Sequence, residues 1–318
     1  MKLWAGAFAI VALNALAQTA PLPSFPSKPI RWIVPFPPGG PADVVARITA
    51  NKLAERVGQP AIIDNRGGAG GNVGHEVAAR SAPDGYTVLF VVPSILTNQF
   101  QFKAAIDPFK ELAPVIYLDA SSLVLVASNS FGAKTMNDIV QRIRDQPGKV
   151  TCGSSGALPT VSCAILKTFA KADVTLIQYK GNAAAMTAVM SGEIDLLFDV
   201  VTTAVGSVRS GKVRGIGLTN PTFSLSILRE LPNLRETIPE FDLAAWQGVM
   251  VPRGTPRELI VKHNTELNAV LQDPELRKRF ADAGLEPTGG APEVFEALLS
   301  RESVRLGRIL RAAGMKPE

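Results

Sequence analysis

The residues that build metal centres are scarce in this chain, which has two cysteines and two histidines among its 318 residues. Their spacings assemble no zinc-type ligand set, so no metal is expected. Aromatic residues make up only 6% and charged residues 19%. Neither a stacking surface for nucleic acid nor a charge-driven disordered chain fits those figures. Long apolar runs are missing outside the N-terminal segment, which excludes a polytopic membrane protein. Nucleotide motifs are missing as well. The glycine run over 67–74 never satisfies G-x-G-x-x-G, because Val73 falls where the last glycine belongs when counting from Gly68. No G-x-x-x-x-G-K-[ST] occurs, so no nucleotide cofactor is expected, nor any other. Gly153-Ser154-Ser155-Gly156 is one residue short of the nucleophile elbow G-x-S-x-G.

What the chain does have is apolar bulk (46%) with 27 glycines and 24 prolines. That is enough apolar sequence for two ordinary domains, punctuated by many loops. Lys plus Arg exceed Asp plus Glu by 33 to 28. This balance permits weak attraction to anions but is far from a nucleic-acid footprint. Arg301, Arg305 and Arg308 recur at helical spacing and read as a solvated helix face. His75 and His263 read as exposed helical residues.

Met1-Lys2 opens a positive start, and Leu3 to Leu16 is apolar except for Asn14. Ala15-Leu16-Ala17 supplies a small-x-small site, so residues 1–17 read as a signal peptide cleaved after Ala17. Export to the periplasm follows as the expectation. In that oxidising compartment Cys152 and Cys163 could bridge, or could stand as two small buried hydrophobes; their spacing does not decide.

Strand and helix patterns alternate through short Gly/Pro loops, which predicts an α/β protein with mostly parallel, doubly wound sheets. Strands are expected at Ile30 to Val34, Ala61 to Ile63, Tyr86 to Val92, Val115 to Leu118, Leu123 to Ala127, Val150 to Gly153, Thr175 to Gln178, Ile194 to Phe198, Val213 to Leu218 and Trp246 to Val251. Helices are expected from Ala42 to Val57, Asn72 to Arg80, Thr135 to Gln146, Thr160 to Ala170, Asn182 to Ser191, Pro256 to Gln272, Pro274 to Ala283 and Pro292 to Ala313.

Two loops stand out. Pro35 to Asp43 joins a strand end to a helix start, where open α/β sheets bind ligands. Its Gly39 and Gly40 allow close approach to the backbone, and free N–H groups of the first helical turn favour an anion. A plain tight turn, with Asp43 complementing the helix dipole, reads equally well. Ser154-Ser155-Gly156 has the same placement, with ordinary helix capping as its plain reading. Serines here also leave an exported serine hydrolase acting through Ser154 or Ser155 as an alternative.

The block from Lys28 to Phe90, headed KPIRWIVPFPPGGPADVV, resembles the Bug family, the substrate-binding proteins of tripartite tricarboxylate transporters. The likeness continues in DPFKELAPVIYL, CGSSGALPTV, YKGNAAAMTAVMSGEIDLLFD and WQGVMVPRGTP. It implies a type II-like flytrap of two α/β domains closing on a ligand cleft, with no catalysis. The domains are expected at 18–101 plus 222–318 and at 102–221. The implied ligand is a small organic carboxylate, held by Phe36, Pro38, Gly39, Gly40, Ala42 and Asp43 in the first loop. Ser154, Ser155, Gly156 and Thr160 form the second, with Ser94 and Asp199 also lining the cleft. The implied partners are the membrane subunits of such a transporter, or a sensor kinase for an orphan binding protein, with the chain itself a monomer. The chain departs from the family pattern at Leu158, where a glycine is common, and at Ser162, where a histidine is.

Overall fold

The computed structural model describes residues 25–103, 106–220, 228 and 230–315. The expected leader over 1–17, its cleavage after Ala17 and the domain switch at 221/222 lie outside the described residues. The chain runs β1 (Ile30–Val34), α1 (Pro41–Val57), β2 (Ala61–Asn65), α2 (Asn72–Ala79), β3 (Thr87–Val91), α3 (Ser94–Thr97), α4 (Pro108–Glu111) and β4 (Leu112–Ala127). Next come α5 (Met136–Asp145), β5 (Thr151–Ser154), α6 (Ala157–Ala170), β6 (Thr175–Gln178), α7 (Asn182–Ser191), β7 (Leu196–Val200), α8 (Val201–Arg209) and β8 (Arg214–Leu218). The last elements are β9 (Ala244–Pro252), α9 (Arg257–Val270), α10 (Pro274–Asp282), β10 (Glu286–Pro287) and α11 (Pro292–Ala312).

Local chemistry sets many of these boundaries. Pro41 opens α1, and Gly58 closes it in the left-handed conformation at φ +67°. Thr135 and Asp138 close a reciprocal capping box on α5. α8 was not anticipated, because it follows β7 directly, with Val200 both ending the strand and serving as the N-cap and no Gly or Pro between them.

The strands form one mixed sheet in the order β2-β1-β3-β9-β4-β7-β5-β6, with β8 and β10 also paired to β4. Parallel pairing holds among β1, β2 and β3 and among β5, β6 and β7. The centre is antiparallel, because β4 and β9 run against their neighbours. β4 also corrects an expectation: Val115 to Leu118 and Leu123 to Ala127 are one strand, not two. Its polar middle, Asp119 to Ser122, reads as a break in the sequence but keeps pairing with β9 as far as Ser122 opposite Ala244.

That long strand positions the functional loops. The C-terminal end of β3, at Val91, lies level with Gly248 and hence with Tyr117 of β4. β7 runs antiparallel to β4, and its end at Val200 lies opposite Leu123. The strand ends of the two parallel groups therefore point towards each other along β4, meeting over Asp119 to Ser122. The chain segments after β1, β3, β5 and β7 all open onto that span.

One apolar core packs α1, α9 and α10 against Trp32, Phe90 and Val249. A second joins α5, α6 and α11 around Phe198, Trp246 and Phe295, and a third lies under α7 and α8. Both histidines are buried, against expectation. His75 is 1% exposed, and His263, at 2%, donates to the Gly85 carbonyl at 2.7 Å. His263 thus has an internal partner, whereas His75 Nε2 is buried with none among the described residues. Arg305 leaves the expected solvated stripe to bond Glu302 and the Asp242 carbonyl.

Cys152 and Cys163 form a disulfide with Cα atoms 6.0 Å apart, joining β5 to α6 across the Ser154–Gly156 loop. Closing so short a loop constrains the unfolded chain by on the order of 2–3 kcal/mol. A Cys152→Ala/Cys163→Ala variant should lose that much, read as a lower urea midpoint, with an m-value no smaller than the wild type's because the released unfolded chain exposes at least as much surface. An unmoved midpoint would show that the bridge adds no constraint.

Candidate functional site

The first loop is held by a polar knot at its base. The Asp43 carboxylate, 3% exposed, accepts from the Gly39 N–H at 2.9 Å, Arg47 Nε at 2.8 Å and Asn65 Nδ2 at 2.9 Å. Asn65 Nδ2 also donates to the Phe36 carbonyl at 3.0 Å. Burial alone would push the Asp43 carboxyl up, but the bonds from Arg47, Gly39 and Asn65 outweigh it and hold the group below the usual carboxylate range. Asp43 is thus engaged on both oxygens and shapes the loop. Gly39 spends its N–H on Asp43 and takes φ +80°, a left-handed turn that glycine adopts at little cost. Pro38 and Gly39 are exposed, while Phe36, Gly40 and Ala42 are half-buried.

The glycine run behind this loop is structural. A Cβ on Gly74 would stand 2.7 Å from Pro35, and one on Gly67 would stand 3.3 Å from Pro37. Those glycines let α2 and its lead-in lie flat against the proline-rich turn.

The second loop is braced in the same manner. Ser154 Oγ donates to the Gly156 carbonyl at 3.0 Å and lies 2.7 Å from Thr160 Oγ1. Thr160 donates to the same carbonyl at 2.9 Å, and Gln178 reaches Thr160 at 3.3 Å. Ser154 and Thr160 are buried, whereas Ser155 is half-buried and Gly156 exposed. The bonded partners of Ser154 are therefore the Gly156 carbonyl and N–H and a threonine, with no histidine among them. Asp199 closes the end of β7. It accepts from Asn182 at the start of α7, from the Val200 N–H at 2.8 Å and from Thr203 at 2.6 Å. Burial pushes its carboxyl above the usual range, although those three bonds pull the other way.

Sequence reasoning overlooked Asn65, Arg47, Asn182 and Thr203. Only their places, at a strand end or in a first helical turn or two, could have marked them. It named Ser94 but did not foresee that its hydroxyl stands among other buried, unpartnered ones. Ser94, placed as expected after β3, has no hydrogen-bond partner for its Oγ among the described residues. The same holds for Thr97 on the same short helix and for Ser162 on α6, and α3 packs against α6.

The helices that follow the strands of the two parallel groups share one electrostatic trait. No side chain caps α1, α2, α6, α7 or α8, whereas Asp107, Thr135 and Asp273 cap α4, α5 and α10 elsewhere. α9 and α11 lack such caps too. Uncapped N-termini leave N–H donors and the positive end of the helix dipole facing outward. A surface hollow of about 190 Å³ at the far end of α1, lined by Lys52, Glu55, Arg56 and Asp273, is an ion-pair cluster away from these loops. No group of three or more His, Cys, Asp or Glu that could hold a metal occurs among the described residues.

Residues 45–315 match the tripartite tricarboxylate transporter family receptor. The chain is 29% identical to Protein BugT of Bordetella pertussis over 313 residues, covering 96% of this chain and 95% of that protein. Among solved structures it superposes on Rpa4515 of R. palustris with adipate, at TM-score 0.81 and 29% identity, covering 92% of this chain and all of the other. It superposes likewise on MatC from Rhodopseudomonas palustris with bound malate, at TM-score 0.78 and 28% identity, covering 90% of this chain and all of the other. The facing loops, the mixed sheet threaded by β4 and these matches lead to one conclusion: the chain belongs to the tripartite tricarboxylate transporter receptor family, whose members are periplasmic solute-binding proteins.

Proposed function

We propose that this protein captures a small organic carboxylate between the loop 36–43 and the loop 154–160 and delivers it to the membrane subunits of a tripartite tricarboxylate-type transporter. The observation that carries this reading is the convergence of uncapped helix N-termini, α1 on one side and α6 to α8 on the other, upon the Asp119 to Ser122 span. Such N-termini bind anions through backbone donors without a dedicated Lys or Arg. Adipate in Rpa4515 and malate in MatC support a carboxylate as the ligand.

In this reading the two halves are 18–101 with 222–318, and 102–221, hinged through β4 and β9. Closure is selected by ligand contacts to both halves. Phe36, Pro38, Gly39, Gly40 and Ala42 line one side, Ser155 and Gly156 the other, and Ser94 lines the floor. Asp43, Ser154, Thr160 and Asp199 hold the loops in shape. The Cys152–Cys163 bridge suits a chain exported behind a cleaved leader. A hydrolase acting through Ser154 is disfavoured by its carbonyl and threonine partners.

The test is a thermal-shift and calorimetric screen of the purified protein against adipate, malate, citrate and shorter acids, with turnover monitored. A rise in unfolding midpoint with one or more acids and no product supports capture. Release of product, or indifference to every carboxylate, defeats it.

A further inference from the structure

On the reading of the two loops just given, we propose that the Cys152–Cys163 bridge positions the second of them. It holds the N-terminus of α6 where backbone donors meet the carboxylate, so that affinity depends on the bridge being intact. The bond joins the second residue of β5 to the seventh of α6, and both cysteines are buried. The loop 154–160 lies wholly inside the ring that this bond closes.

What else holds each loop shows why the second needs a tether. α1 and α6 both begin without a side-chain cap. The turn before α1 is fixed by the ionised Asp43, through Arg47, Asn65 and the Gly39 N–H. The side-chain bonds at the turn before α6 are all neutral among the described residues. They run between Ser154, Gly156 and Thr160, and Gln178 reaches Thr160 only at 3.3 Å. Neutral bonds are about half as strong as charge-assisted ones. α6 also carries Ser162, whose buried Oγ has no partner among the described residues, and this opposes seating the helix beside Cys163 itself. An uncapped helix end so weakly held opens locally. Cys163 lies about one turn beyond Thr160, so a bond from there to β5 keeps the first two turns against the sheet.

An opened first turn takes away the donors that a carboxylate needs. Apparent affinity then falls in proportion to the fraction of molecules that keep the turn formed. The coupling is reciprocal: if the bridge tightens binding by some factor, a bound acid makes the bridge harder to reduce by the same factor. A bridge that only stabilised the fold as a whole would lower the unfolding midpoint when removed. It would leave the affinity of the folded molecules where it was.

The test compares the oxidised wild type with Cys152→Ala/Cys163→Ala, using adipate, malate and citrate as calorimetric probes. The variant should bind about tenfold more weakly. If it does not fold, Cys152→Ala/Cys163→Val, which refills the volume of the sulfurs, takes its place. Hydrogen exchange without any acid should show the amides of 160–164 losing most of their protection while β1 to β3 keep theirs. Thr135→Ala, which uncaps α5 and lowers stability away from both loops, should keep wild-type affinity. In the wild type, dithiothreitol opens the bridge with two electrons and two protons, giving two thiols as the reagent closes to its cyclic disulfide. With the chain still folded by tryptophan fluorescence, saturating acid should raise the dithiol-to-disulfide ratio at half reduction about tenfold. Unchanged affinity in the bridge-free variant, unchanged exchange at 160–164, or an equal loss of affinity in Thr135→Ala overturns the inference. If none of the three acids binds the oxidised wild type, the carboxylate reading falls, and the exchange comparison alone decides the tether.

Discussion

Replacing Gly156 with valine should abolish ligand capture while leaving the fold intact. Gly156 has φ 173°, extended backbone open to any residue, and nothing lies within 4 Å of a Cβ placed there. The added side chain therefore meets no protein atom and costs little in folding. It does fill the space before the N-terminus of α6, where the proposed carboxylate must approach the backbone. Gly40→Val makes the same point from the other side. Gly40 has φ −77°, and its Cβ would meet only the Pro37 carbonyl, at 3.6 Å. Loss of charge-assisted bonds to a carboxylate should weaken binding by about a hundredfold or more. Urea stability should stay within about 0.5 kcal/mol of the wild type. Gly39 is the poorer probe, because its left-handed φ would strain any substitution and disturb the bond to Asp43. Undiminished affinity in both Gly40→Val and Gly156→Val would refute the two-loop site.

The buried His75 ring should contribute a loss of stability on acidification from neutral pH. Burial lowers the pKa of His75 from 6.5 to about 4. In the unfolded chain this ring takes up a proton near pH 6.5, but in the folded chain not until about pH 4. Between those values the unfolded state binds more protons, so stability falls as the pH falls. The loss approaches about 3 kcal/mol by pH 4 and then levels off. His263, also held low by burial although its bond to Gly85 opposes this, adds in the same direction. Asp119 and Asp199 act in the opposite sense, since a carboxyl whose pKa burial raises contributes stability that is lost as the pH rises above its usual value. Urea titrations from pH 7 to pH 4 measure the sum. His75→Leu should flatten the profile across that window, and an unchanged slope would show that His75 does not titrate as described.

Much of the architecture was legible before any coordinates. Ile30–Val34 and Asn182–Ser191 fall where the patterns put them, because a hydrophobic run bounded by Pro or Gly leaves one workable element. β4 was misread because Asp119, Ser121 and Ser122 are polar, and polar residues ordinarily end a buried strand. Pairing with β9 overrides that preference. The histidines were misread for a related reason: one polar residue on a helix does not reveal whether it meets water, the Gly85 carbonyl as His263 does, or, like His75 Nε2, no partner among the described residues.

The scarcity of cysteine and histidine in the sequence left no metal site to expect, and the absence of Lys and Arg from the loops 35–43 and 154–160 left backbone amides as the anion ligands there, at places marked by glycines and prolines. Strand-to-helix order and the two loops follow from local patterning, which needs no knowledge of distant residues. What folding alone decided is everything that depends on two remote segments meeting. The sequence spacing left Cys152 and Cys163 open, and the packing of α6 on β5 brings them together. Asp43 was a plausible ligand contact until Arg47, Asn65 and Gly39 were found on its oxygens. Asp119 and Gln247, 128 positions apart in the chain, become neighbours only because β4 and β9 pair in one register. Burial and partnership are properties of the packed chain, and they separate residues that shape the loops from residues left free to meet a ligand.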